Sequence, residues 1–361
     1  MKKNKFYLFT MFFAILTLVL AGCGSSSSSG TSDSNAGGGT DSAEKIKLKF
    51  ATYFPGTSPI YTDFTEPWMN RVTELTDGQV EFDYYPSEQL GKAGDLMTLT
   101  GDGVTDLSIY PANYYPDTMP YSQMIASLPN LSENTDQGTK AFNDLLKENT
   151  TLVETDYLKN GVRPLVAQVS PNYELWTTGK ELRVPSDLKG LKIKTPGGIA
   201  NKMYEYFGAV PVTISHAEVY EALDRGVIDV ASYYSMAVKN SGTDELLRYA
   251  VFPHIGAVVQ GININENVWQ KLPENIQQAM IQAGNEVIER IGQVYEEETQ
   301  KFNEEFVANG GTIAELTEEE LQEWRNVTEE FTAKWLEENA SGSYQYNEVL
   351  DAYKEKLAEY K

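Results

Sequence analysis

The sequence predicts an α/β protein of two domains, and three observations carry that reading. The chain has 361 residues, more than one ordinary core holds. Strand and helix patterns alternate in two separate series, as expected of mostly parallel sheets with helices on their faces. Between these series and the C-terminus lies a proline-free helical run longer than a small domain is wide.

The first series opens at Ile46–Ala51, where apolar and lysine residues alternate with the period of a half-buried strand. A loop through Tyr53, Pro55, Gly56 and Pro59 leads to a helical stretch ending near Leu75. Val80–Tyr85 is the next strand and ends at Pro86, which has no N–H to continue a ladder. A helix over Gly91–Thr100 and a strand over Asp106–Tyr110, stopped by Pro111, complete a β-α-β-α-β series. The second series begins near Val162, with strands at Pro164–Val169, Glu174–Thr177 and Leu191–Lys194. It continues with a helix over Ile199–Phe207, a strand over Val210–Thr213, a helix over Ala217–Asp224 and a strand over Val227–Ala231. A further strand covers Ile262–Ile264. Pro273 then starts the long run, which reaches about Phe306 with apolar residues at Ile276, Met280, Val287, Ile291, Val294 and Phe302. At 1.5 Å per residue it is roughly 50 Å long and suits a brace between two domains. A break at Gly284 or Gly292 is the alternative reading, since a mid-helix glycine costs about 1 kcal/mol. The tail from Thr317 is rich in Glu, with Trp324, Phe331 and Trp335 as packing anchors.

Charge narrows the function. With 29 Lys+Arg against 52 Asp+Glu the net charge is −23. Such a chain repels phosphate backbones and anionic lipid surfaces, which argues against sequence-independent nucleic-acid binding, and no nucleic-acid partner is expected. One cysteine allows no internal disulfide, and two histidines leave little for a zinc or copper site. Asp and Glu could still hold a hard cation such as calcium, but no metal site is assigned and no cofactor is expected.

The N-terminus has its own logic. Lys2, Lys3 and Lys5 precede an apolar run, Phe6–Ala21, too short for a settled membrane span, which marks residues 1–22 as a secretion signal. Leu20-Ala21-Gly22-Cys23 resembles the cleavage site of bacterial lipoproteins, which implies acylation of Cys23, the only cysteine, and anchoring outside the cytoplasm. Thirteen of the twenty residues from Gly24 to Ala43 are Ser or Gly, so residues 23–43 read as a lipidated cysteine and flexible tether. Loss of the three lysines takes the remainder to about −26.

Catalytic patterns do not emerge. His216 and His254 sit in different contexts, Gly101-Asp102-Gly103 lacks the third glycine of a dinucleotide loop, and there is no phosphate loop. A hydrolase using paired carboxylates is the enzyme alternative, but among 52 acidic residues a chance pair is the default. The expectation is a binding protein and not an enzyme.

The run Gly208-Ala209-Val210-Pro211-Val212, followed by His216-Ala217-Glu218-Val219-Tyr220-Glu221-Ala222-Leu223-Asp224-Arg225-Gly226-Val227-Ile228-Asp229, resembles the DctP-type solute-binding proteins of TRAP (tripartite ATP-independent periplasmic) transporters. Collinear landmarks agree: Thr76-Asp77-Gly78, Tyr85-Pro86 with Gln89-Leu90-Gly91, Pro185 to Ile193, and Trp269 to Pro273. The resemblance implies a periplasmic-binding-protein-like clamp of two α/β domains with crossing connections and a long interdomain helix. Its implied division is 44–170 with about 259–298 as domain I, and 171–258 with about 299–361 as domain II. It further implies a monomeric, extracytoplasmic receptor that gives a small organic acid to an integral-membrane permease. A receptor for an ATP-driven importer or sensor kinase shares the architecture and stays an alternative, as does a ligand that is not an acid.

The resemblance also assigns site residues. In the family an arginine in the strand matching Lys192–Pro196 usually grips the ligand carboxylate, and here that position is Lys194. A compact ammonium makes less geometric demand than a two-pronged guanidinium. A second arginine of some relatives falls near Glu174-Leu175-Trp176, where this chain has none. Glu174, if it faces the cleft, suits a cationic or hydroxyl-rich part of the ligand. Tyr53, Tyr114, His216, Tyr233 and Gln260 match ligand-contacting positions, and with Trp176 they imply an aromatic-lined pocket.

Overall fold

The computed structural model describes residues 44–361. The secretion segment, Cys23 and the tether fall outside the described residues. In chain order the elements are β1 (Ile46–Ala51), α1 (Glu66–Leu75), β2 (Val80–Tyr85), α2 (Leu96–Gly101), β3 (Leu107–Pro111), α3 (Pro120–Ser127), α4 (Thr135–Glu148), α5 (Thr150–Asp156) and β4 (Val162–Val169). There follow β5 (Glu174–Thr177), β6 (Lys192–Thr195), α6 (Gly198–Tyr206), β7 (Val210–Thr213), α7 (Val219–Asp224), β8 (Val230–Tyr233), α8 (Ser235–Asn240) and β9 (Tyr249–Val251). The chain ends with β10 (Val259–Asn265), α9 (Glu266–Trp269), α10 (Glu274–Ala308), β11 (Thr312–Ile313), α11 (Glu318–Asn339) and α12 (Tyr346–Glu359).

Two sheets form. One has the order β2-β1-β3-β10-β4 and the other β11-β9-β5-β8-β6-β7. Both are mixed, whereas the sequence pattern suggested mostly parallel sheets: β10 runs antiparallel to β3 and β4, and β5 runs antiparallel to β8 and β9. The reason is the crossover. The chain passes between sheets at β4 to β5 and again at β9 to β10, so β5 and β10 start at the edge facing the other sheet, where their neighbours end. The two connections lie side by side: Ser170 N–H donates to the Val258 carbonyl at 3.0 Å, and Tyr173 N–H to the Gly256 carbonyl at 2.9 Å.

Helix α10 is unbroken over 35 residues. Its two suspect glycines are contact points. A Cβ on Gly292 would stand 2.6 Å from the Asp136 Cβ of α4, and one on Gly284 would stand 3.1 Å from the Val166 Cβ of β4. Omitting those side chains lets the helix lie directly against the first lobe, which offsets their poor helix propensity. The first half of α10 packs on α1, α4 and β4, and Trp68 donates its indole N–H to the Met280 carbonyl at 3.2 Å. The second half meets α8 and β11, with Phe302 and Phe306 buried on Trp176. Each buried phenylalanine contributes on the order of 2–3 kcal/mol. The brace is therefore pinned at both ends.

Two expectations shift. The strand read at Val227–Ala231 begins only at Val230: Gly226 adopts φ +66°, and the Asp229 carboxylate accepts the Lys192 N–H at 2.8 Å, which spends residues 226–229 on a turn. The tail does not stay with the second lobe. α11 packs on α6, but α12 returns to α4, where Tyr353 donates to the Gly138 carbonyl at 3.2 Å and Leu357 accepts from Gln137 at 3.0 Å.

Candidate functional site

β1, β3 and β4 end, and β10 starts, at one edge of the first sheet; β6, β7 and β8 end, and β5 starts, at the facing edge of the second. Ligands of open α/β sheets bind at such strand ends. The first edge carries Tyr53, Tyr114, Gln168 and Gln260. The second carries Lys194, His216, Tyr233 and Tyr234, and Tyr173 sits on the connection between them.

Lys194 is 1% exposed and is the only Lys or Arg buried among the described residues. Strand alternation turns it to the face it shares with Tyr233, and its Nζ lies 4.0 Å from the centre of the Tyr233 ring and 5.9 Å from that of Tyr173. No carboxylate among the described residues pairs with it. Burial alone pushes its pKa down from 10.5 to about 7. Aromatic faces return on the order of 2 kcal/mol to a desolvated cation, and no anion among the described residues adds to that.

The rest of the site is aromatic and neutral. The ring of His216 stands 5.3 Å from that of Tyr233, and its Nε2 is buried with no partner among the described residues. Burial, then the nearby Lys194, lower its pKa to about 4, so the imidazole is neutral at pH 7. Tyr114, from the first lobe, has its hydroxyl against the His216 backbone, a contact across the cleft mouth. Gly198 (φ +59°), at the start of α6, has no side chain because Gln123 and Pro116 of the first lobe occupy that space. Tyr53 donates to Gln260 Oε1 at 2.6 Å. Burial raises the pKa of Tyr53, Tyr114, Tyr173, Tyr233, Tyr234 and Tyr295, so all remain protonated donors at neutral pH. The lobes are shut here, and the cavity bounded by Asn113, Ser127, Tyr173, Met203 and Tyr204 has room for about one water.

Two expected residues lie elsewhere. Trp176 is fully buried core, its indole N–H on the Tyr233 carbonyl at 2.9 Å and its ring among Phe252, Phe302 and Phe306. Glu174 turns to a groove of about 1320 Å³ beside α10 and takes both the backbone N–H of His254, at 3.1 Å, and its ring Nδ1, at 2.7 Å. Of the eight expected cleft residues, that groove holds only Glu174. Tyr173, Tyr234, Gln168 and Tyr295 were not anticipated. The one available signal was position: Tyr173 lies between two strands and Tyr234 directly follows one.

These features match a known pattern. Residues 50–339 match the family described as bacterial extracellular solute-binding protein, family 7, DctP. The chain belongs to this family. A relative from Chromohalobacter salexigens, a solute-binding protein, is 23% identical over 260 residues, which are 70% of this chain and 74% of the relative. Among solved structures, a TRAP solute-binding protein from Rhodoferax ferrireducens in complex with copurified benzoate superposes with a TM-score of 0.80 at 23% identity, covering 87% of this chain and 98% of that one. A marine metagenome TRAP solute-binding protein specific for aromatic acid ligands, with bound 3-hydroxybenzoate, gives 0.80 at 22% identity, covering 88% and 99%. The two-lobed clamp is the fold they share.

Proposed function

We propose that this chain is the extracytoplasmic receptor of a TRAP transporter, that it captures a small organic acid with a single carboxylate and a flat, largely apolar body, and that it passes the acid to the membrane permease without altering it. Lys194 carries this reading. A lone buried cation lined by aromatic rings matches one carboxylate on an apolar frame; a second carboxylate would find no buried partner. The aromatic acids bound by the structural relatives support the same class. A thermal-shift screen of mono- and dicarboxylates, sugars and amines tests it, with Lys194→Met as control. An acid at 100 times its dissociation constant should add about 2.7 kcal/mol to wild-type stability and nothing to the variant. Stabilisation by sugars or amines but by no acid would overturn the carboxylate assignment.

Anchoring belongs to the same proposal. Cys23 takes the lipid, residues 24–43 form the leash, and the receptor acts as a monomer at the outer face of the membrane. Cys23→Ala should release the protein into the soluble fraction, and size-exclusion chromatography of the soluble form should give the monomer mass.

A further inference from the structure

Four buried polar atoms at the first-lobe edge have no hydrogen-bond partner among the described residues: both ends of the Gln168 amide, Nε2 of Gln260 and Oη of Tyr295. All three residues are at most 1% exposed. Gln168 on β4 and Gln260 on β10 are directly opposed in the antiparallel register, so their side chains leave the sheet on one face. Tyr295 from α10 stands near both amides and Tyr234 near Gln260, close enough for each hydroxyl to feel the amide beside it, but none of these approaches meets hydrogen-bond geometry. The set joins the cleft through Tyr53, which donates to Gln260 and neighbours Tyr173 beside Lys194. Buried polar groups are almost always satisfied, because an orphan loses its hydration with no return. This cluster is built from donors and acceptors without net charge, and it lies across the cleft from the cation.

We propose that Gln168, Gln260 and Tyr295 form an uncharged polar subsite that takes a hydroxyl or amide of the ligand, at the end away from the carboxylate. This rests on the carboxylate reading above. A hydroxyl donates to Gln168 Oε1 while accepting from Gln260 Nε2, a pairing that an amide ligand also satisfies. The ligand class is therefore a hydroxy- or amide-bearing monocarboxylic acid, and the subsite sets specificity by rejecting analogues that leave it unpaired.

The test is calorimetric titration with benzoate, its three hydroxy isomers, and pyroglutamate against cyclopentanecarboxylate, on the wild type, Gln168→Leu and Tyr295→Phe. At least one hydroxylated or amide-bearing acid should bind about tenfold or more tightly than its plain counterpart. In both variants that acid should fall to the plain acid's affinity while the plain acid is unchanged. Ligand-free Gln168→Leu should melt close to wild type, since it gives up no hydrogen bond of good geometry; a purely structural role for Gln168 would lower the melting temperature. Equal affinity across each pair overturns the subsite and leaves the carboxylate reading intact. If no acid binds but benzamide or phenol stabilises the wild type and not Gln168→Leu, the carboxylate reading falls and the subsite stands.

Discussion

Acid binding should weaken as the pH rises above 7, through the titration of Lys194. In the ligand-free protein burial holds its pKa at about 7, so about half the molecules carry the ammonium at pH 7, about one in eleven at pH 8 and about one in a hundred at pH 9. The sign follows from linkage. The fold prefers the neutral amine, so ligand-free stability rises between about pH 7 and the ordinary value of 10.5, where the unfolded chain still binds the proton that the fold has given up. An arriving carboxylate reverses this and returns the pKa toward 10.5, so binding takes up a proton. Affinity for benzoate should be nearly level from pH 5 to 6 and fall roughly 50-fold from pH 7 to 9. Calorimetry at pH 8 in two buffers of different ionisation enthalpy should show close to one proton taken up per acid. Lys194→Arg, charged throughout this range, should flatten the profile. Affinity independent of pH between 6 and 9, with no proton uptake, would refute the reasoning.

Other consequences can be measured on the ligand-free protein. Lys194→Met removes a buried charge that disfavours the fold by roughly 5 kcal/mol at most below pH 7, so its melting temperature should exceed that of wild type at pH 6 and approach it at pH 10. Gly292→Ala drives a Cβ to within 2.8 Å of the Asp136 backbone Cα and should cost about 1–3 kcal/mol, seen as a lower urea midpoint at unchanged m. Glu174 holds the His254 pKa above 6.5, so the pair contributes below pH 6.5, down to where Glu174, its own pKa raised by burial, takes up a proton, and loses its contribution as pH rises through the raised His254 value. The stability gap between wild type and His254→Ala should accordingly shrink from pH 6 toward 9 in denaturant titrations.

Much of the architecture was legible because local pattern and burial agree. β1, with its Lys-apolar alternation, and α10, with its apolar seam, fall where the sequence places them. α3 gave no signal for the opposite reason: every residue from Pro120 to Ser127 is buried, so no polar face marks a helical period. The site was legible in types but not in orientation. Lys192 and Lys194 alternate onto one face of β6, yet Lys192 is exposed and Lys194 buried, because the rings that cover Lys194 come from Tyr173 and Tyr233. Glu174 has a partner 80 residues away, His254, and only the pairing of two interlobe connections brings them together. Gln168 and Gln260 meet through strand register, and no local window of sequence contains both.

The return of α12 to α4 has a practical outcome for anyone who wants to watch the clamp work. The chain crosses between lobes four times, at β4 to β5, β9 to β10, along α10 and from α11 to α12, so its first described strand and its last helix ride on the same body. Dyes at Lys45 and Lys361, the two ends of the described chain, would keep their spacing while the jaws part. A gauge of motion needs one label beyond α12 and the other on the opposite jaw, where Val227 and Val210 are about half exposed. With an even number of crossings, both ends of the described chain fall on the first lobe, and the jaw that carries Lys194 holds neither.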